Sequence, residues 1–124
     1  MKNNARAHCR VPYFKILSWA VFLAYSALII YMSHQSTPLD GQPLPANDKI
    51  VHFIEFFCYY IIGAHCNVPV QFAVLFAAGD ELHQLFVPMR EASIMDFFAD
   101  FCGIMAACIL VKRMGSLRCA RTDK

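Results

Sequence analysis

Apolar positions fall into four runs, separated by short breaks rich in proline and polar residues. The first run, residues 13–32, is long enough to cross a hydrocarbon core, which takes about 20 helical residues at 1.5 Å rise each. Residues 33–48 hold Pro38, Pro43, Pro45, Gly41, Asp40 and Asp48, which is loop chemistry too short for a separate domain. A second run covers residues 49–66, and after the Asn67, Val68, Pro69 break a third covers 70–87. Pro88 and Arg90 mark a turn before the fourth run, residues 92–111, which stops at Lys112 and Arg113. The pattern predicts an all-α membrane protein, an antiparallel bundle of four transmembrane helices, because short connections make chain neighbours antiparallel. It is read as one domain over residues 13–111, with a basic start at 1–12 and a basic tail at 112–124.

Composition strengthens that reading. The chain is 58% hydrophobic and only 16% charged, so water alone does not suit it as a solvent. Of the eleven Lys and Arg, four precede or open the first run (Lys2, Arg6, Arg10, Lys15) and five follow the last (Lys112, Arg113, Arg118, Arg121, Lys124). Only Lys49 and Arg90 lie between. An even number of crossings puts both basic ends on one side, and the preference of basic residues for the cytoplasm orients the bundle N-in/C-in. The basic ends are therefore topology signals, and no nucleic-acid partner is expected. The first run is longer than a typical signal-peptide core of about 7–15 residues and lacks an A-x-A-like cleavage site, so it reads as a retained span. Six cysteines form no C-x-x-C pair, which argues against a disulfide framework or a zinc ribbon.

The later runs are interrupted by His52, Glu55, Asp80, Glu81, His83, Gln84, Asp96 and Asp100. Each charge at a bilayer centre costs roughly 2.5–3.5 kcal/mol on insertion scales, so the set demands an explanation. Alternating crossings bring all eight to one level, in the extracytoplasmic leaflet. Spacing brings them to one side of each helix: His52 and Glu55 are three apart, Asp80 is three and four from His83 and Gln84, and Asp96 is four from Asp100. On the fourth run Ser93, Asp96, Asp100, Gly103 and Ala107 form one stripe of polar and small residues suited to close helix contact.

The plainest account makes these groups interhelical polar glue, His52 with Asp96 for example, each contact worth about 0.6–2 kcal/mol. Yet five acids outnumber two histidines, so some acids must be protonated, hydrated, metal-bound, or paired with Arg90 or Lys49. Such a surplus suits a proton-relay, cation or acid/base site, with His52, Glu55, Asp80, Glu81, His83, Gln84 and Asp96 as the candidates. A bound metal is a secondary reading, because neither H-E-x-x-H nor Glu-x-x-His occurs. Arg90, Lys49 and Ser93 are the candidates for holding an anion such as a lipid phosphate. The blander roles are a turn pair of Arg90 with Glu91 and, for Ser93, a helix N-cap. Trp19, Tyr25, Tyr31, Tyr59 and Tyr60 read as packing or interface anchors.

One block has a specific look: Ser33-x4-Pro38, then Asp48-Lys49-Ile50-Val51-His52-Phe53-Ile54-Glu55-Phe56, then Asp80-Glu81-Leu82-His83-Gln84-Leu85-Phe86-Val87-Pro88-Met89-Arg90-x2-Ser93-x2-Asp96. It resembles the VanZ-like family of bacterial membrane proteins across about residues 33–103. Two positions depart from the family pattern: Met89 stands where Gly is usual and Asp100 where Asn is common. The resemblance implies a multi-pass protein of the bacterial cytoplasmic (inner) membrane with a cell-envelope role. It also implies a link, in relatives, to resistance against the glycopeptide teicoplanin, by a mechanism the resemblance does not supply.

The leading expectation is that an outer-leaflet polar pocket engages membrane lipid or a lipid-linked cell-wall intermediate. Whether that engagement is enzymatic stays open. Two alternatives come from other classes. One is a non-catalytic accessory or scaffold protein bound to a partner membrane enzyme. The other is a small proton-coupled transporter, for which four helices leave little room unless the protein is a homo-oligomer.

Overall fold

The computed structural model describes residues 12–34, 45–88 and 93–122. These form four helices, α1 (Pro12–His34), α2 (Pro45–His65), α3 (Val70–Gln84) and α4 (Ile94–Thr122), with no strand among the described residues. A proline opens both α1 and α2, where its missing N–H would have had no intrahelical acceptor. Helix α2 therefore starts inside the stretch expected to be loop. Helix α4 continues through Lys112 and Arg113 to Thr122, because the basic segment holds no proline to stop it.

The α2–α3 connection is a Schellman motif. The Val68 N–H donates to the Gly63 carbonyl at 3.0 Å and the Asn67 N–H to that of Ala64 at 3.2 Å, with Asn67 left-handed at φ 60°. Pro69 then stands at the N-cap of α3. At the other connection, 3₁₀-type bonds from Phe86 N–H to the His83 carbonyl and Val87 N–H to the Gln84 carbonyl end α3. Helix α4 opens on Ser93, whose Oγ accepts from the Met95 N–H at 3.2 Å, so the N-cap expected there is realised.

Helix direction alternates along the chain, but the most extensive packing is between α2 and α4, which run the same way. Gly103 makes this possible. A Cβ at that position would collide with the Phe53 carbonyl oxygen and come within 3.0 Å of the Phe57 nitrogen, so α4 rests directly on the α2 backbone. Below the polar end, Phe22, Phe56, Tyr59 and Phe76 form an aromatic core, with Tyr59 and Phe76 stacked at 4.7 Å.

Most of the outward surface is apolar, including Ile16, Leu17, Leu23, Leu75, Phe98 and Ile109. A soluble monomer rarely exposes so continuous an apolar surface. Two stretches, Tyr13–His34 and Ile94–Gly115, are long and apolar enough to cross a membrane, and neither is wrapped in protein. Helix α3, with 15 residues, is shorter than those stretches, about 22 Å against a core of about 30 Å.

Candidate functional site

The polar residues gather at one end of the bundle. That end is formed by the C-terminal ends of α1 and α3 and the N-terminal ends of α2 and α4. Because α2 and α4 run together in register, equivalent turns face each other: Lys49 meets Asp96 and, one turn deeper, His52 meets Asp100. The Lys49 Nζ lies 2.6 Å from Asp96 Oδ1, and its side chain stays 39% exposed. His52 Nδ1 lies 3.0 Å from Asp100 Oδ1, with Asp100 wholly buried. His52 thus takes Asp100 rather than Asp96, the partner given as an example above. Gly103 fixes the α2–α4 register that gives Asp96 to Lys49.

A second group joins α1 to α3. Ser33 Oγ donates to Asp80 Oδ2 at 2.6 Å, and Gln84 Nε2 donates to the same oxygen at 3.1 Å. The four-residue spacing of Asp80 and Gln84 thus does place both on one side of α3. His83 stacks on His34 of α1 at 5.6 Å, while its Nε2 is buried without a hydrogen-bond partner. Asp80 Oδ1 is likewise buried and unpartnered.

Glu81 faces the other way, towards α4. Its Oε2 accepts from the Ser93 N–H at 3.2 Å, and its Oε1 is buried with no partner. One donor atom each from His52, Glu81 and Asp100 lies within 4.8 Å of the other two, and the same holds for Asp48, His52 and Asp96 nearer the rim. Glu55 lies on α2, one turn from His52. It is half-buried, and the Tyr25 hydroxyl of α1 donates to its backbone carbonyl at 3.2 Å. Arg90, the other candidate for anion binding, lies outside the described residues. The Ser93 Oγ accepts from the Met95 N–H in its cap, which leaves the O–H free to donate.

Beside the Asp80 group runs an open, mostly apolar groove of about 450 Å³, lined by Ile30, Phe72, Leu75 and Phe76 with Asp80 and His83 at its polar end. Among the described residues, Cys58, Cys66, Cys102 and Cys108 are free thiols.

A family model described as VanZ/LLP1 matches residues 11–115, which takes in every helix that builds this end of the bundle. The chain belongs to the VanZ/LLP1 family. The match is broader than the 33–103 block that carries the resemblance, because it includes all of the first membrane-length stretch. No curated protein and no solved structure matches the chain. For this VanZ/LLP1 member the site must therefore be judged on its own geometry.

Sequence reasoning passed over Ser33, His34 and Asp48 as members of the cluster. Ser33 and Asp48 stand inside the recognised block, but a run-by-run reading assigned them to a loop. Their signal lay in their positions at helix ends, next to the level where the other polar residues meet.

Proposed function

We propose that the chain is a cell-envelope membrane protein whose polar end opens to the outer face of the bacterial inner membrane and engages a lipid or lipid-linked intermediate there. All four helices cross, N-in/C-in, with the shorter α2 and α3 packed between α1 and α4. The excess of basic residues at both chain ends supports this orientation.

The observation that carries the reading is the junction of an apolar groove with a titratable cluster. Ile30, Phe72, Leu75 and Phe76 offer a hydrocarbon-lined track, and Asp80 and His83 stand at its head with buried polar atoms unmet by the protein. An amphipathic ligand fits such a site: its chain replaces bilayer lipid along the groove, and its headgroup supplies the missing hydrogen bonds. His83 can donate to or accept from a headgroup oxygen, and Lys49 at the rim keeps donors to spare beyond its bond to Asp96. A role in teicoplanin susceptibility is the phenotype to test first.

The competing account is that the cluster is glue for a scaffold protein, favoured by the interhelical bonds Ser33 to Asp80 and Lys49 to Asp96. The two separate on Asp80→Asn, His83→Ala and Asp96→Asn, assayed for membrane abundance and for glycopeptide susceptibility at matched expression. A lost effect at normal abundance supports the ligand site. Loss of effect in step with loss of abundance supports the scaffold.

A further inference from the structure

We propose that His52, Glu81 and Asp100 form a buried site for a divalent transition-metal ion, held between α2, α3 and α4. This goes beyond the lipid-binding reading and stands whether or not a lipid is bound.

The donor set is suitable in kind and position. One imidazole nitrogen with two carboxylate oxygens is a combination that Zn²⁺ and Mn²⁺ accept, whereas Ca²⁺ and Mg²⁺ prefer oxygen alone. The three donor atoms lie within 4.8 Å of one another. Ligands about 2.1 Å from a shared ion stand up to roughly 4 Å apart, so only small side-chain adjustments separate this arrangement from coordination.

The hydrogen bonding points the same way. Each carboxylate has one oxygen fixed by the protein and one left over. Glu81 Oε2 is held by the Ser93 N–H while Oε1 is buried and unpartnered. Asp100 Oδ1 is held by His52 while Oδ2 is buried and unpartnered. Glu81 is only 8% exposed and Asp100 not at all, so water does not readily satisfy these oxygens.

Charge completes the argument. Lys49 pairs with Asp96 one turn above, away from the triad, which leaves two buried carboxylates facing one imidazole. A divalent ion would neutralise that surplus. Asp48, His52 and Asp96, with Asp48 exposed, make a second cluster of donors towards the rim.

The test uses the full chain, purified in detergent with a tag free of histidine, stripped with chelator and desalted after loading with Zn²⁺ or, separately, Mn²⁺. Metal content by mass spectrometry should show about one ion per chain, with unfolding shifted to higher temperature. Glu81→Gln and Asp100→Asn should each weaken uptake by about tenfold or more, while Gly79→Ala, outside the triad and with open space around its Cβ, should retain it. Failure of the wild-type chain to retain either ion overturns the proposal, even if a variant does not fold. Full uptake by Glu81→Gln and Asp100→Asn overturns it too. Neither result bears on the lipid reading, which is scored on the abundance and susceptibility of different variants.

Discussion

The hydroxyl of Ser33, at the end of α1, lies 2.6 Å from the Asp80 carboxylate on α3. Together with the stacking of His83 on His34, this buried bond fixes how far α1 is slid along α3. It also places the head of the apolar groove. Ser33→Ala should lower the unfolding free energy by about 1 kcal/mol, within the usual range for polar contacts between membrane helices. Thermal unfolding in detergent checks this, and an unchanged midpoint would mean that the bond contributes nothing net.

His52 and Asp100 should behave as a unit. Removing the imidazole alone, in His52→Ala, strands a fully buried carboxylate and should cost about 3 kcal/mol or more. The double variant His52→Ala with Asp100→Ala should be less destabilised than the two single losses added together. A double-mutant cycle on unfolding midpoints measures the coupling, and strict additivity would deny it.

Glycines separate close packing from open surface. Gly103→Ala forces a Cβ against the backbone of α2 at Phe53 and Phe57 and should destabilise the bundle by about 1–3 kcal/mol. Gly79→Ala meets nothing within 4 Å and should be neutral, or stabilising by up to about 1 kcal/mol through helix propensity. Expression level and unfolding temperature of the two variants should therefore diverge.

Asn67 carries the left-handed turn between α2 and α3. Asn67→Gly should be neutral or slightly stabilising, whereas Asn67→Val should cost about 1–2 kcal/mol, since a branched side chain is strained at positive φ. Unfolding midpoints of the pair check the sign.

Much of this was legible from spacing alone. The runs predicted helices because apolar stretches of that length have few other solutions, and the four-residue spacings put Asp80 with Gln84 and Asp96 with Asp100 on shared sides. The stripe containing Gly103 marked a close contact, and the structure shows its partner to be the α2 backbone. Pairing was not legible. Whether His52 takes Asp96 or Asp100 depends on how α2 and α4 are slid past each other, and local pattern does not encode a register between distant segments. The metal-like triad was hidden for the same reason: its ligands come from three helices rather than from one motif.

The central claim is that the ionisable end of the bundle opens outside the cell, and labelling tests it most directly. In a background without cysteine, Asp48→Cys at the exposed rim and Lys112→Cys near the other end of α4 are treated in intact spheroplasts with a membrane-impermeant maleimide. The account predicts that position 48 labels from outside and position 112 only after permeabilisation. The reverse pattern would place the cluster on the cytoplasmic side and contradict it.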